Sequence, residues 1–337
     1  MTNCATSLIE LLGGRVTVDP KELIGHDRSR DGDVVVLSGT LLEGFGNLYS
    51  DLDLYVIGHE LPSKTSNAPS VSVVGEDGRV RRVNETLTES AGILLDVQYY
   101  TFRELDTLSR SLRTLYQEAT HNTRIFRRTL HHEDEDLIHK LITGSILRDG
   151  TGSFDPRKTF DPCAYCFLKY RNEVGGYEEF RDLVGSWSAG DLDTCLFNTR
   201  GYLISQVSGM MFLAGSTNPR AKWFPKRLAS LGPEYAELRD GVMSWLCEER
   251  LTDSQKRDGV MRAFRLIDLT YSHARALLGT SSKYFSAEEA LAMIDREFFE
   301  RDLRDRDTAA ERRLRRRCFS SAEMPMNAQL ESYSRQE

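Results

Sequence analysis

The chain has 337 residues, a net charge of -7, and hydrophobic and charged fractions of 40% and 28%, which are typical of a folded globular protein. This length favours two domains of ordinary size, and the acidic balance argues against a long nucleic acid as the partner. No stretch approaches the roughly 20 apolar residues of a membrane helix, and we expect no signal peptide. Six irregularly spaced cysteines do not resemble a disulfide framework, so we expect a reduced, cytoplasmic protein.

Strand signals dominate the first hundred residues. An apolar segment at 8–12 indicates a short helix, and the β-branched run at 34–37 then predicts a buried strand. Residues 51–58 begin by alternating charged and apolar side chains, which is the period of a strand. The runs 71–74 and 79–83 flank a Glu-Asp-Gly turn, and this arrangement predicts a hairpin.

Helical spacing replaces these signals after a last predicted strand at 92–102. Apolar residues then recur at intervals of three and four, as in the segment from Leu105 to Leu115. We therefore predict an α+β protein with a small mixed β-sheet in residues 1–104 and an all-helical domain in residues 105–318. The polar tail, residues 319–337, is predicted to be disordered.

Three aspartates lie on the predicted strands. Asp51 and Asp53 are two residues apart, so both side chains leave the same face of their strand. Two carboxylates that point the same way repel each other unless positive charge lies between them, and Mg²⁺ commonly supplies it where phosphates are bound. Asp96 interrupts an apolar strand, where an acid is costly unless it is paired or coordinates a metal. The three residues are therefore candidate metal ligands.

Gly39 and Thr40 follow the predicted strand at 34–37 and precede a predicted helical turn. A small residue at such a position allows backbone N–H groups to approach phosphates, and the dipole of the turn favours the negative charge. Thr40 adds a hydroxyl group. The pair is therefore a candidate phosphate-binding element.

The segment SGTLLEGFGNLYSDLDLYV, which begins at Ser38, resembles the signature of the DNA polymerase β-like nucleotidyltransferase superfamily. That signature is a Gly-Ser pair, a helical turn, an Asp-x-Asp on a strand and a third acid on a later strand. Here Gly39 and Thr40 stand for the pair, with threonine in place of the usual serine. The resemblance covers about residues 33–100, and it is shared with the RNA-tailing and the antibiotic-modifying branches of the superfamily.

The resemblance implies a nucleotidyltransferase domain and a definite chemistry. Asp51 and Asp53 would hold two Mg²⁺ ions, for which Mn²⁺ substitutes, and Asp96 would complete the catalytic metal site. A nucleoside monophosphate would pass from ATP or another NTP to an acceptor hydroxyl, with release of pyrophosphate. Gly39 and Thr40 would hold the β- and γ-phosphates, and Ser50 belongs to the same nucleotide-binding motif.

The helical domain is expected to supply a basic residue that closes over the triphosphate. The segment AKWFPKR offers Lys222, Lys226 and Arg227 as candidates, although a solvated loop is the alternative interpretation. The acidic balance favours a small molecule as the acceptor over RNA or protein, and neither DNA nor a membrane is expected as a partner. RNA-end (tRNA) addition, protein nucleotidylation and second-messenger synthesis stay open, as does a catalytically silent nucleotide-binding module that acts through a partner protein.

Several residues have simpler interpretations. Asp96 is a candidate for an ion pair with Arg81 or Arg82. Cys163 and Cys166 have metal-ligand spacing but lack a second pair nearby, so buried helix positions are favoured. The histidines of LHHEDEDLIHK are favoured as part of a polar helix start rather than as a metal site, and the arginine run 312–317 as a solvated helix end rather than an RNA contact.

Overall fold

The structure is a computed structural model, and it describes residues 8–11, 14–26, 28–64, 71–86, 92–124, 129–280 and 283–334. The strands in this part of the chain are β1 (Ile9–Leu11), β2 (Val16–Val18), β3 (Val34–Ser38), β4 (Leu52–Gly58), β5 (Ser72–Val74), β6 (Val80–Thr86), β7 (Leu94–Thr101) and β8 (Ser145–Asp149). The helices are α1 (Pro20–His26), α2 (Phe102–His121), α3 (His132–Thr143), α4 (Pro156–Thr159), α5 (Pro162–Glu173), α6 (Tyr177–Ser188), α7 (Leu192–Leu213), α8 (Phe224–Ala229), α9 (Ala236–Cys247), α10 (Asp253–Leu278), α11 (Ala287–Phe298), α12 (Arg306–Phe319) and α13 (Met326–Ser334).

Six of the strands form one mixed sheet in the order β5-β6-β7-β4-β3-β8. Strands β4 and β7 run parallel in the middle, and the other neighbours are antiparallel. The short strands β1 and β2 pair only with each other. This sheet, followed by a long helical region, confirms the predicted α+β class and the predicted strands at 34–37, 51–58 and 92–102, as well as the hairpin at 71–83.

One face of the six-stranded sheet is packed against an apolar core. Alternate residues of the central strands, such as Leu54 and Val97, are completely buried in it. Leu11, Val18 and Leu23 from the segment before β3 cover this face. Because side chains alternate along a strand, Asp53 and Asp96 lie on the opposite face. The sequence pattern therefore fixes which face of the sheet carries the acids.

The chain divides into two compact units. The first comprises Met1–Leu112 and Leu130–Asp161, and the second comprises Arg113–Thr129 and Pro162–Glu337. The predicted boundary at 104 differs from this division, because α2 belongs to both units and the chain returns to the first unit for α3 and β8. We call them the sheet unit and the helical unit. Among the residues that the structure describes, no helix combines the length and the apolar character that crossing a membrane requires.

Two element predictions are wrong. Residues 9–11 form a strand rather than a helix, because β2 supplies an antiparallel partner and Leu11 is buried. The apolar spacing of Leu137, Leu141 and Ile142 predicts a helix that extends to Ile146, but Ile146 lies in β8. Helix α3 ends at Thr143 with Gly144 as its extended C-cap, and the edge of β3 then pairs with the chain. In both segments, pairing with a neighbouring strand therefore outweighs the local preference for a helix.

The tail after residue 318 is ordered where it is described, contrary to the sequence prediction. Helix α13 buries Met326 and Leu330, which are four residues apart and therefore share a helix face. The backbone N–H of Met326 donates to Asp268 at 3.0 Å. Arg317 donates to the carbonyl groups of Ser321 and Glu323 at 3.0 and 2.9 Å. These contacts fix the connection between α12 and α13.

A candidate metal centre on the sheet

Strand pairing brings the three predicted acids together. Asp53 on β4 and Asp96 on β7 are direct partners in the parallel register, so their side chains leave the same face side by side. Asp51 immediately precedes β4. Each residue offers a carboxylate oxygen, and these oxygens all lie within 4.8 Å of one another. In the part of the chain that the structure describes, this is the one group of histidine, cysteine and acidic residues that is compact enough to hold a metal ion.

The centre is mostly buried and holds three carboxylates close together. Asp53 is buried, and Asp96 retains 1% of its exposure. Burial raises the pKa of Asp53, the nearby charge of Lys140 opposes this shift, and Asp51 and Asp96 raise the pKa further. A carboxyl group in this position resists ionisation unless a cation compensates it. The site is therefore built to attract positive charge.

Two basic side chains supply positive charge to the centre. Lys140 on α3 forms an ion pair with Asp53. Arg82 on β6 holds Asp96 through two hydrogen bonds, of which the one from Nε to Oδ1 is 2.8 Å long. The ion pair between Arg82 and Asp96 that the simpler interpretation anticipated is thus present, whereas Arg81 pairs with Asp77 and Glu104.

The arginine and the lysine differ from each other in exposure. The side chain of Arg82 is 47% exposed while that of Asp96 is 2% exposed, so the guanidinium is able to swing toward solvent without crossing packed structure. Lys140 is largely buried. No sequence signal indicated Lys140, because its contact with Asp53 joins residues 87 positions apart. It is the principal residue of the centre that the sequence analysis missed.

The donor chemistry fits divalent cations that prefer oxygen ligands. Carboxylate oxygens are the ligands that Mg²⁺ takes in proteins that bind phosphates, and Mg²⁺ often uses only one or two of them. Lys140 and Arg82 already lie against these carboxylates as ion-pair partners. Asp51, Asp53 and Asp96 are therefore suitable ligands for Mg²⁺ or Mn²⁺.

A second layer of hydrogen bonds orients Asp96. The side-chain amide of Gln98 donates to Asp96 at 3.3 Å, and the hydroxyl of Tyr100 donates to Gln98 at 3.1 Å. These three residues alternate along β7 and therefore share one face. Burial raises the pKa of Tyr100 to about 12, so its hydroxyl keeps its proton at neutral pH and remains a donor.

The turn after β3 passes directly beside the centre. Gly39 has a φ of +116°, and a Cβ atom placed on it would lie 2.7 Å from Oδ2 of Asp53. Only glycine combines this backbone conformation with so close an approach. The predicted helix here is a hydrogen-bonded turn, in which Phe45 and Gly46 donate to the carbonyl of Thr40 at 2.9 and 2.7 Å. Gly39 and Thr40 therefore present backbone next to the carboxylates.

The turn is held from its other side by a buried pair. Nε2 of His139 donates a hydrogen bond to the carboxylate of Glu43 at 3.1 Å, and His139 on α3 is buried. Helix α3 therefore contributes two neighbouring residues to the site, since Lys140 contacts Asp53 and His139 contacts the turn. His131 caps α3 and His132 begins it, in agreement with the polar helix start that we expected for the histidines of this segment. His139 instead lies buried in the second half of α3.

Ser50 braces the loop before Asp51. Its hydroxyl accepts a hydrogen bond from the backbone N–H of Asn47 at 3.0 Å, and the side chain of Asn47 accepts one from Tyr49 at 2.9 Å. These contacts shape the segment that delivers Asp51 to the centre. The expected nucleotide contact of Ser50 stays a prediction, and its hydroxyl already has a role in the loop.

The three basic candidates of the helical domain lie in the helical unit. Lys222 and Lys226 are exposed and flank the ring of Trp223, at 5.2 and 5.7 Å from its centroid. Arg227 is 2% exposed, donates to Ser216 at 2.9 Å and lies over the ring of Phe212. Phosphate binding by the two lysines stays a prediction. Arg227 would have to leave its contacts to take part.

The remaining sequence candidates have structural roles. Cys163 and Cys166 lie on α5 and form no disulfide; Cys166 is buried, as the buried-helix interpretation predicts, whereas Cys163 is half-buried. The arginines of α12 are neither a solvated end nor an open basic surface, because acidic residues of the helical unit pair with them. The pairs are Arg312 and Arg316 with Asp295, Arg315 with Glu297, and Arg317 with Asp268.

No family model and no curated protein match the chain. Among solved structures, the chain is similar to a nucleotidyltransferase-like protein from Exiguobacterium sibiricum. The TM-score is 0.36 and the sequence identity 12%, and the similarity covers 84% of this chain and 89% of that chain. A likeness this distant carries no argument about activity, so the functional proposal rests on the geometry of the centre.

Proposed function

We propose that the protein is a metal-dependent nucleotidyltransferase, which transfers a nucleoside monophosphate from an NTP to an acceptor hydroxyl or similar group and releases pyrophosphate. One observation carries the proposal. Asp51, Asp53 and Asp96 converge within 4.8 Å, and the glycine turn at Gly39 passes within van der Waals reach of Asp53. Carboxylates that bind cations and a backbone turn that accepts phosphates are the two parts that nucleotidyl transfer needs at one place.

The residues of the chain have distinct tasks in this reaction. Asp51 and Asp53 would hold two divalent ions, and Asp96 would complete one of the two sites. Such ions supply charge neutralisation at the phosphate oxygens. The turn at Gly39 and Thr40 orients the β- and γ-phosphates through backbone N–H groups and the threonine hydroxyl. The acceptor oxygen then forms a bond to the α-phosphorus, and the bond from that phosphorus to pyrophosphate breaks.

The basic residues of the centre change partners in this proposal. Lys140 and Arg82 balance the carboxylates in the protein alone. When the carboxylates bind metal, the two side chains are free to contact the triphosphate or the acceptor. Asp96, released from Arg82, is positioned to take the proton from the acceptor hydroxyl. An acidic chain and the carboxylates' own negative charge favour a small molecule over RNA as the acceptor.

Pyrophosphate release tests the proposal. The protein is incubated with each common ribonucleoside triphosphate and Mg²⁺ or Mn²⁺, first with a bacterial metabolite extract and then with total tRNA. Metal-dependent release that the double variant Asp51→Ala/Asp53→Ala lacks supports the transferase, and the productive fraction gives the class of acceptor. The absence of release with all triphosphates and acceptors, together with absent NTP binding, contradicts the proposal.

A second candidate function has one observation in its favour. Since Lys140 and Arg82 neutralise Asp53 and Asp96 internally, the centre is stable without a metal, as a catalytically silent nucleotide-binding module would require. Such a module would act through a partner protein. NTP binding that is undiminished by chelation of divalent ions, with no release of pyrophosphate, would favour this candidate over the enzyme.

A further inference from the structure

A cavity of about 100 Å³ lies inside the helical unit, and the proposed function does not use it. The end of α2, the end of α5, the turn before α6 and the helix α12 surround it. All of its lining residues belong to the helical unit, whereas the candidate metal centre belongs to the sheet unit. Its lining includes Tyr170, Arg171, Asn172, Glu178, Glu179 and Arg315.

Several buried polar atoms of the lining residues have no hydrogen-bond partner in the described part of the chain. They are the hydroxyl of Tyr170, both polar atoms of the Asn172 amide and Nε of Arg315. Tyr170 is 1% exposed. Buried polar groups are nearly always paired, and each unpaired one costs about 1–3 kcal/mol. Three residues around one cavity therefore present hydrogen-bonding groups that the described part of the chain does not pair, and a polar ligand in the cavity is able to pair with them.

The two buried arginines of the cavity are fixed by the protein itself. Arg171 donates to the carbonyls of Ala119, Asn122 and Arg124 at 2.6 to 2.8 Å and so caps the end of α2. Arg315 binds Glu297 at 2.6 and 2.9 Å through its two terminal nitrogens. Both guanidinium groups are thereby held rigidly beside the cavity. A rigid donor loses little conformational entropy when a ligand binds.

The charges and donors of the lining define the ligand. Tyr170, Asn172 and Arg315 each have an N–H or O–H group that lacks an acceptor. Arg171, whose hydrogen bonds run to backbone carbonyls, adds a positive charge, whereas Arg124 and Arg315 are paired with Glu297. Glu178 and Glu179, which are exposed, add negative charge at its rim. An oxyanion satisfies the donors, and the rim favours a ligand whose other end is neutral or cationic. We infer that the cavity is a binding site for a small molecule that carries a carboxylate or phosphate group.

Substitution of the unpaired groups separates a ligand site from a packing defect. Tyr170→Phe removes the unpaired hydroxyl with little change in shape. Removal of an unsatisfied buried group leaves the free protein equally stable or more stable, while the same change weakens a ligand that uses the hydroxyl. Asn172→Leu does the same for the amide. Tyr202→Phe is the matched control, since Tyr202 is a buried tyrosine of the helical unit that does not line the cavity.

The experiment measures binding of inorganic phosphate and, separately, acetate to the full chain by calorimetry and by thermal unfolding. We expect one of the two anions to bind and to raise the melting temperature. Tyr170→Phe should weaken that binding about three- to tenfold, the range set by one hydrogen bond, without lowering the melting temperature of the free protein. Tyr202→Phe should bind like the wild type. The anion that binds distinguishes a phosphate ligand from a carboxylate ligand.

Three outcomes would overturn the inference. The first is that neither anion binds. The second is that binding is the same in the wild type, Tyr170→Phe and Asn172→Leu, which would place the anion elsewhere. The third is that Tyr170→Phe destabilises the free protein by the amount expected for a lost hydrogen bond, since the hydroxyl would then already have a partner. Failure of Asn172→Leu to fold leaves the Tyr170→Phe comparison intact.

Discussion

The two units differ in how their buried acidic residues are paired with basic residues. In the sheet unit, three carboxylates crowd together and share Lys140 and Arg82. In the helical unit, the cluster around α11 and α12 pairs each acid directly with arginine, as Glu297 and Arg315 illustrate at 2.6 Å. Burial alone does not separate the two regions, because Asp96 and Arg315 are both buried.

The pKa values of Asp53 and Glu297 shift in opposite directions. Burial raises the pKa of Asp53 more than Lys140 lowers it. Burial also acts to raise the pKa of Glu297, but the hydrogen bond and charge of Arg315 outweigh it and the pKa is lowered. The pKa of Asp268 is raised as well, because burial outweighs its hydrogen bond and ion pair with Arg317. A raised pKa alone therefore does not distinguish the centre; the distinguishing feature is that three carboxylates share two basic side chains.

The largest effect is expected at the crowded carboxylates. Asp53→Asn removes a charge that would bind metal but keeps the size of the side chain. We expect nucleotidyl transfer to fall by about 10³-fold or more, the upper range for loss of one electrostatic group in an active site. Initial rates of pyrophosphate release measure the loss. Asp31→Asn is the control, since Asp31 is an exposed acid of the same unit. An equal loss of activity in both variants would contradict a special role for the clustered carboxylates.

The balanced pairs should matter for stability instead. Arg315→Met removes the closest partner of the Glu297 carboxylate and leaves it the mostly exposed Arg124, at 3.4 Å. Loss of one partner of a buried pair costs up to about 3–5 kcal/mol in the free energy of unfolding. Urea unfolding of the helical unit measures it. The control is Arg304→Met, whose ion pair with Asp302 involves an arginine that is 92% exposed, and its cost should stay within about 0.5 kcal/mol. Similar costs for the two variants would show that the α12 network is not structural.

Lys140 should compete with metal ions for the carboxylates of the centre. If the carboxylates bind metal, Lys140→Met removes a competing positive charge, and affinity for Mn²⁺ should rise about tenfold, since one charge at about 4 Å contributes roughly 1 kcal/mol even in water. Calorimetric titration of Mn²⁺ measures the affinity. Unchanged or weaker Mn²⁺ binding would mean that Lys140 positions Asp53 and does not compete for it.

We expect the helical unit to lose stability at acid pH, in part because of Glu297. Its pKa is lowered in the folded protein relative to the ordinary value of 4.5, so its contribution to stability is present above that value and is lost as the pH falls through the folded pKa. Unfolding free energies between pH 7 and pH 3, in the wild type and in Glu297→Gln, measure the difference. The free energy of unfolding should fall less between pH 7 and pH 3 in Glu297→Gln than in the wild type. An equal fall in both proteins would show that Glu297 is not the cause of the acid sensitivity.

The smallest effect is expected at Ser50. Its hydroxyl accepts one hydrogen bond, from the backbone of Asn47, so Ser50→Ala should lower the free energy of unfolding of the sheet unit by about 0.5–1.5 kcal/mol. The KM for the NTP should stay within a few-fold of the wild-type value if the hydroxyl only braces the loop. A large rise in KM with unchanged stability would instead support the nucleotide contact that the sequence predicts.

The sequence predicted the parts of the centre that are local. Asp51, Asp53 and the glycine turn lie within one short segment, and Asp96 stood out as an acid in an apolar strand. Strand alternation then placed the acids on one face. The role of Lys140 could not be predicted from the sequence, because its contact with Asp53 depends on how α3 packs against the sheet. The arginines of α12 were misinterpreted for a related reason, since their acidic partners come from helices that only the fold brings near.

Binding of Mn²⁺ to the carboxylates tests the central claim most directly. Electron paramagnetic resonance counts the Mn²⁺ ions bound to the wild type and to the triple variant Asp51→Asn/Asp53→Asn/Asp96→Asn, with a non-hydrolysable NTP analogue present and circular dichroism as the check on folding. We predict two ions per chain in the wild type and a folded triple variant that binds none at this site. Equal binding in both proteins would contradict a metal centre formed by these three residues.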